Sequence, residues 1–207
     1  MKKLGIGCAV VGVIGFLVLL VAIIAGAGYN RLVGLSQATD KSWAQVQNVY
    51  QRRADLIPNL VATVSGAANF EKSTITQVTE ARASVGRVNV NPNQAPTSPE
   101  QLAQFDQAQG ALSSALSRLL VVVERYPDLK ATQNFQELQA QLEGTENRIS
   151  VERGRFNEAV QAYNTAVKSF PAVFYAPMLG FREKPYFASK PGAETPPAVQ
   201  FDFNNKK

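Results

Sequence analysis

The sequence predicts an all-α protein: an N-terminal transmembrane helix followed by an up-and-down antiparallel helical bundle of four helices, or three if the first two merge. Three observations predict it. Residues 4–28 are apolar and carry no charge. Beyond them, apolar residues recur three or four apart, and no stretch sustains the period of a strand. Proline-rich breaks divide this periodic region into long segments with short connections, the pattern of adjacent antiparallel helices.

The first element is the run "LGIGCAVVGVIGFLVLLVAIIAGAG" at 4–28. At about 1.5 Å per residue it reaches roughly 37 Å as a helix, enough for a hydrocarbon core of about 30 Å. Its glycines are costly in a soluble helix but common in bilayers. A cleaved signal peptide is the rival reading, with Lys2-Lys3 as its basic end and Ala25-Gly26-Ala27 as its cleavage form. The apolar run exceeds the usual 7–15 residues of such signals. A lipoprotein signal at Cys8 has too few residues after Lys3 to form an apolar region, so Cys8 reads as a small residue of the span. Lys2 and Lys3 favour a cytoplasmic N-terminus, nearly balanced by Arg31 and Lys41. The bundle is thus expected on the outer side, periplasmic or extracellular, of a single-pass cell-membrane protein.

Next comes a seam through Leu32, Leu35, Thr39, Trp43, Val46, Tyr50, Arg53, Ile57, Leu60, Val64 and Ala67, close to a heptad repeat. It can continue unbroken from the membrane helix. Pro58 lies inside it, removes the amide that would bond Ala54, and predicts a bend of more than about 20° in a continuing helix. Phe70, Ile75, Val78, Ala81 and Val85 mark a shorter second helix. Residues 86–99, with three prolines, three asparagines and a glycine, form a loop. Ser98 can cap the third helix, Pro99 suits its first position, and Gln101 can reach back as in a capping box. The third seam is Leu102, Phe105, Gln109, Leu112, Leu116, Leu119, Val123, Tyr126, ended by Pro127. Pro127 can also open the last helix, whose seam runs from Phe135 through Ile149 and Phe156 to Phe170, where Pro171 stops it. The domains are therefore an anchor at 1–28, a bundle at 29–170, and an aromatic, proline-rich segment at 171–207. The aromatics of that segment suit either a lipid headgroup interface or the open end of the bundle and a neighbouring subunit. Its last residues, with Pro196-Pro197 and Lys206-Lys207, read as mobile.

Two charges fall on apolar seams, Arg53 and Glu152. Matching Leu32 to Phe170 across antiparallel helices sets Arg53 opposite Ile149, with Glu152 and Glu146 within reach. Stranding a charge in a seam costs several kcal/mol, so Arg53 is expected to pair with Glu152 or Glu146 and to fix helix register. Trp43 and Pro58 are the other structural positions singled out.

Composition closes most routes to catalysis. There are 21 Lys+Arg against 16 Asp+Glu, a net charge of +5, which is too modest for a nucleic-acid binder. There is no histidine, which removes the commonest general base, nucleophile pairs and imidazole metal sites. A bundle-core di-metal site needs Glu-x-x-His. No enzyme, metal, cofactor or small-molecule substrate is expected.

The stretches "YNRLVGL" (29–35), "WAQVQNVYQRRADLIPNLVATV" (43–64), "TEARA" (79–83), "ENRISVERGRFNEAVQAYNTAV" (146–167), "FP" (170–171) and "KPYF" (184–187) closely resemble the LemA family of bacterial membrane proteins. The resemblance covers almost the whole chain after residue 28, except the 86–99 loop and the tail. It implies a single-pass protein with an up-and-down helical bundle and no assigned enzymatic activity or catalytic residues. A magnetosome-associated relative implies, by analogy alone, a role in membrane organisation. The functional expectation is a membrane-anchored scaffold touching the lipid bilayer that self-associates as a homo-oligomer or holds membrane-protein partners. The alternative is an accessory or sensor subunit of a membrane protease, transporter or envelope-stress system.

Overall fold

The computed structural model describes residues 2–67, 71–88 and 90–188. It is all-helical, a bundle of four long helices joined by short connections. The first is α1 (Lys2–Ser65), followed by α2 (Lys72–Arg87), α3 (Pro99–Val123), a single turn α4 (Pro127–Lys130), α5 (Gln133–Lys168) and a second single turn α6 (Ala172–Tyr175). A 3₁₀ turn at Pro177–Leu179 ends on Gly180. Its φ of 86° lies in the left-handed region that glycine enters without steric cost. Residues 181–188 are extended.

The bounds follow local chemistry. α1 keeps one helical path through Pro58. Proline cannot donate to the carbonyl four residues back. That carbonyl, on Ala54, accepts instead from Arg82 Nε of α2 at 3.0 Å. The orphan created by the proline is thus satisfied from the neighbouring helix. At the start of α3, Ser98 Oγ accepts from Gln101 N at 3.3 Å, and Gln101 Oε1 accepts from Thr97 N at 3.4 Å. The expected capping box therefore forms with its return bond one residue earlier.

One helix start differs from the sequence reading. Pro127 opens only α4, and the long last helix begins after Thr132, whose Oγ1 accepts from Phe135 N at 3.4 Å. A Thr side chain that satisfies a free amide is a stronger start than a proline, which merely lacks one. The expected seam member Phe70 lies outside the described residues.

The core falls into three stretches along the axis. Farthest from the N-terminus, Ile57, Leu60 and Val64 of α1 pack with Val78 of α2, Leu112, Leu116 and Leu119 of α3, and Phe135 and Leu142 of α5. In the middle, Trp43, Val46 and Tyr50 meet Leu102, Phe105, Ile149, Phe156, Val160 and Phe187. At the base, Leu32 meets Tyr163, Ala166, Val167, Ala172 and Ala176. Only α1 and α5 span all three. The upper stretch is a four-helix bundle, and the base is two helices and a folded-back tail.

Among the described residues no helix is long and apolar enough to cross a membrane. The charge-free run 4–28 forms the first part of α1, and many of its side chains lie outside the described residues. Of those described, Val13, Phe16, Leu19, Leu20 and Ile23 are exposed.

Candidate functional site

The polar junction of the bundle is built on Arg53. Its residue is 1% exposed although its side chain is charged. Heptad spacing in α1 aims it at the crossing of α3 and α5. Nη1 donates to Glu146 Oε1 at 2.6 Å and to Ser113 Oγ at 2.8 Å. Nη2 donates to the side-chain and main-chain oxygens of Gln109, the latter at 3.4 Å. The guanidinium carbon lies 5.0 Å from the centre of the Tyr50 ring. A planar fork with several donors can tie three helices at one level, which a lysine ammonium on a flexible stem does less well. Glu146 is 45% exposed on its side chain, so the pair opens toward solvent on one side.

Of the two acids weighed as partners, Glu146 holds Arg53, and Glu152 does not. Glu152 pairs with Arg155 at 2.7 Å on its own helix. The cause is a register error of three residues. Leu32 shares the basal core with Tyr163, Ala166 and Val167, whereas Phe170 is 82% exposed. Shifting the match by three moves the position opposite Arg53 from Ile149 to Glu146.

Trp43 is the second junction. Its ring is within 5.2 Å of Phe105, 5.5 Å of Phe156 and 6.1 Å of Phe187, centre to centre. Its Nε1 donates to the Asn91 carbonyl at 2.9 Å, so the indole also anchors the loop between α2 and α3. Burial without this partner would strand the N–H.

Sequence reasoning missed the third feature, a strap made by residues 181–188. Asn164 Nδ2 donates to the Lys184 carbonyl at 2.9 Å while Lys184 N donates to Asn164 Oδ1 at 2.9 Å. Asn157 repeats the pattern on Phe187, at 3.0 and 2.9 Å. The spacing is matched. Seven helical residues rise about 10.5 Å, and three extended residues span about 10 Å. Pro185 lies between the clamped residues, where no amide is needed, and biases Lys184 toward extended backbone.

Side chains fasten the strap further. Lys184 Nζ donates to Asp40 Oδ1 at 2.9 Å and Ser36 Oγ at 3.3 Å, and lies 5.2 Å from the Tyr163 ring centre. Asp40 Oδ1 also accepts from Ala95 N at 3.0 Å, joining α1, loop and strap. Phe187 packs on Trp43 and Phe156 and carries the Arg153 guanidinium 4.3 Å above its ring. Arg153 itself pairs with Asp106 of α3 at 2.8 Å. The signal available in the sequence was Asn157 and Asn164, one heptad apart beside an apolar seam. Amides there need hydrogen-bond partners, and an extended segment offers each of them both a backbone N–H and a C=O.

Titration adds one constraint. Burial pushes the Tyr50 phenol above its ordinary value, partly offset by Arg153 and Arg53. Burial likewise raises Tyr163, with the Asp40 charge adding to it. Among the described residues no group of His, Cys, Asp and Glu could hold a metal ion.

The fold and its polar junctions define a class: an all-helical protein whose longest helix runs from an uncharged N-terminal stretch into a bundle closed at its base by an extended strap. The LemA family model matches residues 42–201, from just before Trp43 past the end of the strap. The chain belongs to the LemA family. It is 27% identical over 184 residues to magnetosome protein MamQ 2 of Paramagnetospirillum magneticum, covering 81% of this chain and 67% of that protein. It is 34% identical over 89 residues to magnetosome protein MamQ of Magnetospirillum gryphiswaldense, covering 43% and 33%. Protein LemA of Metamycoplasma hominis is 24% identical over 142 residues, covering 68% and 60%.

Proposed function

We propose that this protein is a non-enzymatic, membrane-anchored scaffold whose bundle self-associates or holds partner proteins beside the bilayer. The observation that carries the reading is α1. One continuous helix of 64 residues includes both the uncharged run and the first column of the bundle. Motion or position imposed at one end is therefore transmitted to the other without a hinge loop. The exposed apolar residues along the early part of α1 support lipid as their surroundings. The more buried ion pairs, Arg53–Glu146, Arg153–Asp106 and Lys184–Asp40, each tie two elements together, which supports a mechanical role over a chemical one. The name of the MamQ relatives assigns them to the magnetosome, and analogy extends an organising role to this chain.

The test is particle mass for the full-length chain in mild detergent, with detergent subtracted. Self-association predicts a defined multiple of the chain mass. A strictly monomeric particle contradicts it.

A second reading, an accessory subunit of a larger membrane assembly, is favoured by the open cleft at the upper tip. It measures about 630 Å³ and is lined by Thr63, Arg125, Tyr126, Pro127 and Asp128 among others. A photocrosslinker at Thr63 in cells distinguishes the two. Recovery of self-crosslinks alone argues against the accessory reading.

A further inference from the structure

The turn after α5 leaves apolar side chains outside the core at a defined place. Phe170 is 82% exposed, Phe174 72%, Met178 86% and Leu179 51%, and Val173 is exposed beside them. Phe170 and Phe174 contact each other edge to face, 6.1 Å between centres. These residues are not ragged ends. Ala172 and Ala176 of the same turns are buried in the basal core, and Phe181 N donates to the Ala176 carbonyl at 2.9 Å. The backbone is fixed while its large side chains are presented outward. Soluble proteins rarely expose apolar groups in such a cluster without a use for them.

The cluster lies where the uncharged run meets the bundle. Tyr175 crosses α1 at Gly28, where a Cβ would run into the phenol oxygen. Tyr29 contacts Phe181, 5.6 Å between ring centres. No acidic residue occurs before Asp40 or between Glu158 and Glu183, while Arg31, Lys168 and Arg182 surround this level. Lys168 is tied to Glu183 at 2.7 Å. Arg31 and Arg182 are exposed and have no ion pair among the described residues.

We propose that residues 170–180 are a lipid-binding foot, inserted into the headgroup boundary of the same bilayer that the first part of α1 crosses. The inference deepens the anchored reading above and rests on it. Continuity identifies the occupant. The foot is laid against Gly28 and Tyr29, where the charge-free run ends. A span of about 30 Å measured back from there fits within 4–28. Aromatic side chains flanked by the cations Arg31 and Arg182, with the nearby acid Glu183 held by Lys168, are what the interface of an anionic membrane accepts. Two attachments, a spanning helix and a foot off its axis, fix the tilt and rotation of the bundle over the membrane. A single helix leaves both free.

The test uses the full-length chain with Cys8→Ser and one introduced cysteine, Met178→Cys or Phe174→Cys, carrying an environment-sensitive fluorophore. Val121→Cys is the reference, because Val121 is 70% exposed on α3 far from the base. The proteins are reconstituted into phosphatidylcholine–phosphatidylglycerol vesicles, and flotation is scored first. In floated protein, the label at 178 or 174 should shift to the blue. It should lose most of its quenching by aqueous iodide relative to 121 and be quenched by lipids with a shallow nitroxide. A label at 178 and 174 as open to iodide as at 121 overturns the foot and leaves the anchor standing. Shielding from iodide without quenching by nitroxide lipid also overturns it, since a protein then covers the cluster. Failure to float overturns the anchored reading and the foot with it.

Discussion

The two ends of the bundle solve the same packing problem differently. At the upper end four helices surround one apolar core, and side chains such as Leu60, Val78, Leu119 and Phe135 meet from four directions. At the base α2 and α3 are absent, and two helices cannot cover each other's apolar stripes. The missing wall there is the folded-back segment, with Ala172, Ala176 and Phe181 at the basal core. The strap at 181–188 carries it up to Phe187 in the middle stretch, held by backbone recognition from Asn157 and Asn164 rather than by a seam of its own. The upper end is specified by periodicity. The strap is specified by individual hydrogen bonds. An extended strand is thinner than a helix, so it fills the groove between α1 and α5 while leaving the outer faces of both free.

This contrast can be broken by substitution. The largest effect is expected at Trp43, which touches α3, α5, the loop and the strap together. Trp43→Ala should cost about 3–5 kcal/mol in urea unfolding and loosen strap and loop at once. Next is the clamp. Asn164→Ala leaves the Lys184 amide and carbonyl without partners and should cost about 1–3 kcal/mol. Its signature is local, with faster amide exchange over 181–188 and little change in α2. Equal loosening of α2 would show that the two ends do not act separately.

Smaller changes sharpen the boundary between the ends. Glu146→Ala leaves Arg53 buried with Gln109 and Ser113 as its remaining partners. Fully buried pairs lose about 3–5 kcal/mol when broken this way. Glu146 is partly solvated, so about 1–2 kcal/mol is expected once solvent screening is allowed for. Arg53→Met should be milder than Glu146→Ala, because no unpaired charge remains in the seam. The reverse order in urea unfolding would assign Arg53 a packing role instead.

Tyr50 gives a pH signature at the same level. Its folded value is raised by burial, so the folded state holds the phenol proton more tightly than the unfolded state does. The stabilisation is fully present below about pH 10 and is lost as pH rises through the folded value. Melting curves between pH 9 and 11 should therefore fall less steeply for Tyr50→Phe than for the parent chain. The smallest effect is expected at Arg82→Ala, which returns the Ala54 carbonyl to water at about 0.5 kcal/mol.

What was legible in the sequence follows this division. The four helices, most seam positions and the Ser98 start are periodicity and capping, and they read directly. Arg53 read as a paired charge because a guanidinium on an apolar stripe admits few alternatives. Its partner was misplaced by three residues because Phe170 continues the α5 period yet is 82% exposed. The α5 start was misplaced because Thr132 carries a weaker pattern than Pro127. The strap was not legible at all. Residues 181–188 have no period, and the partners that order them are twenty and thirty residues away on another element. Recognition by side-chain amides leaves two asparagines as its only trace.

A strap running from the base into the middle stretch closes the lower half of the bundle. Amide exchange at Lys184 and Phe187 in the full-length chain tests it most directly. Protection approaching that of the α5 core is expected, lost at both amides in the double variant Asn157→Ala, Asn164→Ala. Exchange at the rate of an unprotected chain in the parent protein would contradict it.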